Sequence, residues 1–582
     1  MKTIFAQIIL IFILSLPLCS NAQFNQTWNN QVFALDTSSP RMSFPWSIIY
    51  GPDDSLWITE ARNYLITKMH PGNYGKRTLL NLSSMRNFAN GSSNWPQGGM
   101  MGMALHPNFT TGKPYLYVAL VYFKYGNTGT PNNSTCSGTT GSHSCYYKTK
   151  ILRYTYNFAT HSLGSSVIVL DDIPGSNDHN SGRMKIGPDL KLYYTVGDMG
   201  AGQFNNLNRT HNAQNPDVYE GKVLRLNTES DGDAADPSDP YNEWIPNDNP
   251  FNHSITGVKL ATFSYGHRNA QGLAWGNVNG VDRLYSCEHG DKSDDEVNII
   301  QSGRNYGWPK VVGRCDNNYN SFDGFTTNDI LANQTVGRED TFCTNHNVKQ
   351  PMFGLLTATA TQINNETNNI YTWYTVAPSS VTFYGSNFIP GWRNSLLVTS
   401  LKYGMYRLKL NSNGDAVDST VTPQLVDTLP YFHGFRIRDV AIAPTGDTMF
   451  FIIDSSGSTS GPTGGFSGAN TSTTAGGKIL RVVYVSTLAL NDYTPTRPVA
   501  NRAFVRVYPN PTNRTLFVES KRGLSKPLRI QLYDQIGRRV FDETTTRDNF
   551  SLDLTHFMNG MYIFKLYNGH DVLVTTEKII KN

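Results

Sequence analysis

Residues 183–196 read Arg183-Met-Lys-Ile-Gly-Pro-Asp-Leu-Lys-Leu-Tyr-Tyr-Thr-Val196. Two apolar segments flank Gly187-Pro188-Asp189, the turn chemistry of a β-hairpin. Short polar loops lie on either side: Asp178-His179-Asn180-Ser181-Gly182 before, and Gly197-Asp198-Met199-Gly200 after. A hairpin brings its two ends to one side of a sheet, so His179 and Asp198 are expected to meet there. A histidine held by a carboxylate is the minimum apparatus for taking a proton from a hydroxyl. Taken singly, His179 reads as a surface histidine and Asp198 as a turn cap, so the reading turns on what else converges on them.

Working outward, the same phrase (strand, Pro/Gly/Asp/Asn turn, strand) occurs six times: from Trp46 to Glu60, Gly102 to Ala119, Arg183 to Val196, Gly272 to Glu288, Val381 to Ser400, and Val440 to Asp454. A further strand of one type follows most copies, as in Ile151-Leu-Arg-Tyr154, Val223-Leu-Arg-Leu226, Met405-Tyr-Arg-Leu408 and Ile479-Leu-Arg-Val482. Unequal repeats of short strands, each unable to bury its own faces, predict an all-β six-bladed β-propeller. A β-sandwich accounts for the strands but not for the recurring phrase. Loops at one end of such blades converge on a central channel, where sites sit.

At 582 residues the chain exceeds one ordinary core, and 49 Lys+Arg against 45 Asp+Glu leave a net charge of only +4. No basic run interleaved with aromatics occurs, which argues against nucleic acid as a partner. Residues 1–22 read as a secretory signal: Lys2, an apolar run from Ile4 to about Leu16, then Ser20-Asn21-Ala22 before Gln23. Cys136 with Cys145, and Cys315 with Cys343, each bracket a loop as disulfide couples do in an oxidising compartment, whereas Cys287 reads as a buried free thiol. Residues 23–487 form the ring. The Ser/Gly/Thr stretch from Ser455 to Gly477 is a loop inside it, because strand patterning resumes at Lys478. Residues 488–503, with two prolines, are the linker.

Residues 504–582 change character: Val505-Arg-Val-Tyr-Pro-Asn-Pro511, Asn559-Gly-Met-Tyr-Ile-Phe-Lys-Leu566 and Glu577-Lys-Ile-Ile-Lys581 predict a small Ig-like β-sandwich. These phrases resemble the C-terminal sorting domain of type IX secretion substrates. The resemblance implies the type IX secretion machinery as partner and a secreted or cell-surface location.

Polar groups gather at the ends of the phrases beyond what core packing requires. They include Gln97, Asp178, His179, Asp198, Gln203, Arg268, Asn269, Thr375, Lys402, Arg436 and Arg438. Cations supplied by separate repeats point to an anionic ligand in the channel. Ser293-Asp-Asp-Glu-Val297 near the Tyr306-Gly-Trp308 loop offers oxygen donors suited to Ca²⁺, without EF-hand spacing. No dinucleotide or P-loop pattern accompanies it.

In their chain order, Asp178-His-Asn-Ser-Gly-Arg183, Gly266-His-Arg-Asn-Ala-Gln-Gly272, Ser293-Asp-Asp-Glu-Val-Asn298, Asn305-Tyr-Gly-Trp-Pro309, Thr375-Val-Ala-Pro-Ser-Ser380 and Ser400-Leu-Lys402 resemble the glucose/sorbosone dehydrogenase family, soluble quinoprotein glucose dehydrogenases in particular. That resemblance, from Phe44 to Tyr484, implies a propeller using pyrroloquinoline quinone (PQQ) and Ca²⁺. It implies oxidation of the anomeric hydroxyl of a sugar substrate to a lactone, with proton abstraction by His179, hydride transfer to PQQ, and electrons passed to an external acceptor. Matched position by position, it implies His179 as base, Asp198 as its partner and Arg268 at the reactive carbonyl. Gln97, Asn269, Thr375, Lys402, Arg436 and Arg438 match cofactor contacts, and Gln97, Asp178 and Gln203 match sugar contacts. The carbonyls of Gly290 and Asp291 match the ligands of the cofactor-side calcium. Asp295, Glu296, the Tyr306 carbonyl and Asp316 match those of a second, structural one. The resemblance also leaves room for a homodimer.

Asp291 stands where the family has proline, a change without consequence if only its carbonyl is used. Met199, Ala201 and the insertion Gly313–Tyr371 also depart from the pattern, leaving the preferred sugar open. Two other classes share the architecture. A non-catalytic propeller of the hedgehog-interacting-protein type would lack the histidine or the cations. A calcium-dependent lactonase propeller would line its channel with carboxylates.

Overall fold

The structure is a computed structural model and describes residues 24–28, 31–86, 98–124, 147–176, 178–201, 206, 209–233, 240–252, 258–319, 338–364, 374–418, 431–432, 434–455, 475–485, 505–520, 524–534, 538–569 and 573–582. Residues 1–22, the Cys136/Cys145 couple, Gln97, Gln203, most of Ser455–Gly477 and the linker lie outside the described residues. The chain divides into two compact units, Met1–Leu490 and Asn491–Asn582. Among the described residues no helix is long and apolar enough to cross a membrane.

Six antiparallel sheets make up the described part of the first unit. Their first strands are Pro45–Tyr50, Met100–Leu105, Ser181–Ile186, Asn269–Val278, Pro378–Tyr384 and Ile437–Ile442. Each of the six recurring phrases supplies the first two strands of one sheet, and Arg-containing segments such as Lys222–Asn227 and Gly404–Lys409 supply third strands. Each first strand touches the first strand of the next sheet, and Ile437–Ile442 touches Pro45–Tyr50, so the sheets close a cycle. The sixth sheet joins both ends of the unit, because Gln31–Asp36 pairs with Ile479–Val485. That closure leaves neither terminal strand as an open edge facing the other.

Side-chain alternation explains the cycle. Neighbouring residues on a strand point to opposite faces, and here both faces are covered. Tyr194 packs with Tyr117 and Ile151 of the preceding sheet, whereas Tyr193 packs with Leu273 and Leu284 of the following one. Further apolar clusters fill the spaces between the remaining neighbours, for example Trp57 with Met103 and Val118, and Ile48 with Phe450 and Ile452. This is why the strands read as near-continuous apolar runs rather than as amphipathic ones.

At the middle of the cycle lies a buried guanidinium. Arg183 Nε donates to the Gln271 carbonyl (2.8 Å), Nη2 to the Ser379 carbonyl (3.0 Å), and Nη1 to Asp439 Oδ2 (2.6 Å) and Ser47 Oγ (3.3 Å). One side chain of the third sheet therefore ties down strands of the first, fourth, fifth and sixth.

Cys315 and Cys343 form a disulfide, and Cys287 is a buried free thiol whose pKa burial pushes up. The second unit holds two antiparallel sheets. Val505–Tyr508, Thr515–Ser520 and Asn549–Asp553 form one; Leu528–Tyr533, Arg539–Thr545, Gly560–Tyr567 and Leu573–Lys581 form the other. They share a core that includes Leu516, Val518, Leu532, Phe564 and Ile579.

Candidate active site

The two loops at the ends of the central hairpin meet as expected. Strand Ser181–Ile186 pairs with Lys191–Val196, with Ser181 opposite Val196, so residues 179 and 198 emerge side by side. Gly197 permits the approach: a Cβ there would lie 1.8 Å from the His179 carbonyl oxygen, a distance no side chain tolerates. His179 itself adopts φ of 47°, in the left-handed region that non-glycine residues rarely occupy. Such strain is found where surrounding structure over-determines a functional geometry.

His179 Nδ1 lies 2.8 Å from Asp198 Oδ1, and both residues are buried. Because an ionised carboxylate only accepts, this contact places the proton on Nδ1 and presents Nε2 as the acceptor nitrogen. Burial raises the Asp198 pKa, but His179, Arg268 and His211 outweigh it, and the carboxyl lies below its ordinary value. Asp198 is fully engaged: Oδ1 also accepts the Gly200 N–H (2.9 Å), and Oδ2 accepts the Trp308 indole N–H (2.8 Å). Asp178 Oδ1 accepts the His179 N–H (3.0 Å).

Arg268 reaches the same place from the third-to-fourth sheet connection. Its carbonyl accepts the Asp198 N–H (2.7 Å) and its N–H donates to Glu288, which also meets His267 Nδ1 (3.0 Å). The guanidinium lies over the Trp308 ring, 5.1 Å from its centroid. It also approaches the Asp291 carboxylate, Nη2 to Oδ1 at 3.5 Å. The expectation that Asp291 contributes only a carbonyl is therefore incomplete, because its side chain offsets part of the Arg268 charge.

The remaining predicted cations gather from the fifth and sixth sheets. Lys402 Nζ donates to Thr375 Oγ1 (2.5 Å) and is buried; burial pulls its pKa down to about 8, against the pull of Asp295. Arg438 pairs with Asp454 and donates to Gln271 Oε1 (2.8 Å), and Arg436 Nε stands 3.4 Å from Asp454 Oδ1. Burial pushes the His289 imidazole well below its ordinary pKa, and the charges of His179, Arg268, Arg438 and Lys402 add to that. Asn269 sits opposite His289 in the strand register. Its Oδ1 accepts the Ser181 N–H (3.1 Å), while its amide Nδ2 is buried with no partner, as is His289 Nε2. A buried donor without an acceptor is costly, and this one sits next to Arg268 in the chain.

Carboxylates concentrate on the next loop. Asp295 does not project as a free ligand: Oδ1 accepts the Gly290 N–H (2.8 Å) and Oδ2 the Val376 (2.5 Å) and Ala377 (2.8 Å) N–H groups, so it organises the Gly290–Asp291 turn. Glu296 Oε1 accepts the Gly313 N–H (3.0 Å), and burial beside Glu288 pushes its pKa well up. Burial also raises Asp294 and Asp295 to about 6. Asp316 is exposed and turned to Asn318, though within electrostatic reach of Asp294 and Glu339. Tyr306 is held by its N–H to the Tyr265 carbonyl (2.9 Å). Among the described residues no three His, Cys, Asp or Glu side chains form a metal-holding group, so an ion here needs backbone carbonyls as well.

Three residues escape the sequence reading. Trp308 clamps Asp198. His211 lies edge-on to Trp308, 6.0 Å between centroids, with its pKa pushed down to about 4 by burial. Glu339 starts a helix, is fully buried, accepts the Val312 N–H (3.0 Å) and has its pKa raised to about 7 by burial. Trp308 lies in the Asn305–Pro309 motif, but its contact with Asp198 is not written in that motif, and His211 and Glu339 lie in no motif; the partners of all three are distant in the chain.

Comparison with known proteins agrees with this geometry. The glucose/sorbosone dehydrogenase family model matches residues 42–335 and 354–460, and the secretion system C-terminal sorting domain model matches 506–582. Quinoprotein glucose dehydrogenase B of Acinetobacter calcoaceticus is 34% identical over 447 residues, covering 71% of this chain and 84% of that protein. Aldose sugar dehydrogenase YliI of Escherichia coli is 26% identical over 424 residues, covering 72% and 89%. A crystal structure of glucose dehydrogenase superposes with TM-score 0.50 at 20% identity, covering 78% of this chain and 99% of that one, a likeness of fold. With a sorting domain at its C-terminus, the chain belongs to the glucose/sorbosone dehydrogenase family.

Proposed function

We propose that this chain is an exported, PQQ- and Ca²⁺-dependent aldose dehydrogenase on a six-bladed β-propeller, followed by an Ig-like sorting domain read by the type IX secretion machinery. The observation that carries the reading is the His179–Asp198 pair (2.8 Å), with Arg268 bonded to Asp198, Asn269 bonded to Ser181, and Lys402, Arg436 and Arg438 buried in the same unit. The partnerless Asn269 amide and these cations fit an anionic, carbonyl-bearing cofactor. The Acinetobacter relative, itself a quinoprotein, supports a quinone there.

When bound, PQQ supplies a two-electron hydride acceptor and Ca²⁺ a charge that polarises it. The chain's own groups do the rest. His179 Nε2 takes the proton of the anomeric hydroxyl. Asp198 fixes the tautomer and stabilises the imidazolium. Arg268 would supply a fixed positive charge to stabilise developing negative charge. Asn269, Thr375, Lys402, Arg436 and Arg438 would orient the cofactor, the Gly290 and Asp291 carbonyls would hold a calcium ion, and Asp178, Gln97 and Gln203 would hold the sugar. Glu296, the Tyr306 carbonyl, Asp316 and Glu339 would hold the second calcium. The product is a lactone, and an external acceptor regenerates the enzyme.

The test is to mix purified apoprotein with Ca²⁺ and PQQ and follow dye reduction with a panel of aldoses. PQQ-dependent reduction is expected; lactone hydrolysis without PQQ, or PQQ that does not bind, would overturn the reading.

Lys402→Met separates binding from folding. Loss of a charge-assisted contact is expected to weaken PQQ binding by roughly 10–100-fold. The same change should raise apoprotein stability, because a buried cation is removed. Fluorescence titration with PQQ and urea unfolding of the apoprotein read the two effects.

The acidic loop gives a pH signature. Asp294 (about 6) and Glu339 (about 7) are raised above ordinary carboxyl values. The folded chain therefore binds more protons than the unfolded one between about pH 4 and 7, and stability without a divalent cation falls as pH rises through that window. Calcium should restore the loss at pH 7 and have little effect at pH 5. Thermal unfolding with chelator and with Ca²⁺ checks it, and a calcium effect equal at both pH values would show that neither carboxylate responds to the ion.

A further inference from the structure

We propose that Trp308 is a positioning residue for the proton acceptor: its indole N–H pins the Asp198 carboxylate, and its ring seats Arg268, so one side chain sets both groups that flank the substrate. The inference rests on the dehydrogenase reading for its kinetic arm alone.

A carboxylate torsion is soft and roughly two-fold, so Asp198 is not oriented by its own rotamer. The two oxygens instead have separate tasks. Oδ1 meets His179 Nδ1 (2.8 Å) and the Gly200 N–H (2.9 Å), and Oδ2 meets Trp308 Nε1 (2.8 Å). Without the indole donor, Oδ2 is an equally good acceptor for the imidazole and the ring loses its single orientation.

Trp308 is itself immobilised. Its backbone N–H donates to the Gly266 carbonyl (3.0 Å) and its carbonyl accepts Gln214 Nε2 (2.7 Å). Gln214 also exchanges hydrogen bonds with Asn305 at 3.0 and 2.8 Å. The Arg268 guanidinium lies over the ring at 5.1 Å from its centroid, and His211 stands edge-on to it at 6.0 Å. A tryptophan that only filled space could spend its N–H on any nearby carbonyl. This one spends it on the carboxylate of the base while carrying the catalytic-type arginine on its face.

The clamp also bears on basicity. An N–H donated to Oδ2 withdraws charge from Asp198, which weakens its hold on a protonated His179. The charged or titratable groups facing His179 are Asp178, Asp198, Arg268, His211 and His289. Removing the indole N–H leaves the other four in place and makes Asp198 a stronger partner for the imidazolium, so His179 holds its proton to higher pH.

The experiment replaces Trp308 by Phe, and separately by β-(3-benzothienyl)alanine through an amber codon, which keeps the bicyclic shape and lacks only the N–H. In the reconstituted holoenzyme, kcat is expected to fall roughly 10–100-fold, as for a lost hydrogen bond to a charged group, with KM for the sugar little changed. The acid limb of the kcat–pH profile should move to higher pH. In the apoprotein, the downfield proton resonance of His179 Nδ1–H should shift or broaden in both variants. Unchanged kcat, pH profile and resonance in the benzothienyl protein would overturn the proposal. If the wild-type protein oxidises no aldose, the dehydrogenase reading falls, and the His179 resonance alone decides the positioning role.

Discussion

His179→Ala is expected to lower kcat by about 10²–10⁴-fold, the range that positioned acid–base help supplies, while PQQ affinity stays close to that of the parent. The separation follows from the layout. His179 is fixed by Asp198 and by the loop at Gly197, whereas Lys402, Arg436 and Arg438 are carried on or next to strands of the fifth and sixth sheets and are held by Thr375 and Asp454. Removing the imidazole leaves those cations in place. Added imidazole should recover part of the lost rate in the alanine protein, because the missing group is a proton acceptor and the space it leaves matches the added base. Asp198→Asn is the companion test. An amide can donate to Nδ1, which would turn the wrong nitrogen toward the substrate, and a loss of similar size is expected. Steady-state kinetics with a reducible dye, alongside PQQ titration, read both. An alanine variant with near-parental kcat would take the base assignment away from His179.

Arg183→Leu carries the second large effect, on stability. The guanidinium is almost fully buried and makes four hydrogen bonds to the Gln271 and Ser379 carbonyls, Ser47 Oγ and Asp439, while stacking 4.3 Å from the centroid of Trp46. Deleting it strands Asp439, whose Oδ2 otherwise also accepts the Ile48 N–H (2.9 Å) and whose Oδ1 accepts Ser380 Oγ (2.6 Å). Breaking a buried pair by removing one partner costs about 3–5 kcal/mol, because the other charge is left uncompensated. The urea midpoint should fall by the corresponding amount with an unchanged slope. Arg183→Leu combined with Asp439→Asn should recover part of the loss, since the stranded charge is then gone. Equal destabilisation in the single and double variants would show that the cost lies in packing and not in the ion pair.

How much of this was legible in the chain depends on how far each interaction reaches. Hairpin pairing is local, so the turn at Gly187-Pro188-Asp189 was enough to bring His179 to Asp198. The six phrases marked the first two strands of every sheet because each strand packs on both faces, which fixes its apolar content whatever its neighbours. Asn269, Lys402, Arg436 and Arg438 were legible as polar groups at the ends of the recurring phrases, and all four are buried in the folded chain. Asp295 also accepts three backbone N–H groups, a use that depends on where Val376 and Ala377 lie after the long insertion.

By itself, then, the sequence determined the repeat, the hairpin, the histidine–aspartate pair and the sorting tail, since each is written in residues close along the chain. The tertiary structure decided the rest. It made the cycle close through pairing of Gln31–Asp36 with Ile479–Val485, and it put the Arg183 guanidinium among strands of four other sheets. It turned Trp308 onto Asp198 across 110 residues of chain and set the Asp291 carboxylate against Arg268. The physical reason is common to all of these. A side chain's partner across a closed cycle is fixed by where other strands come to rest, and no spacing along one strand encodes that.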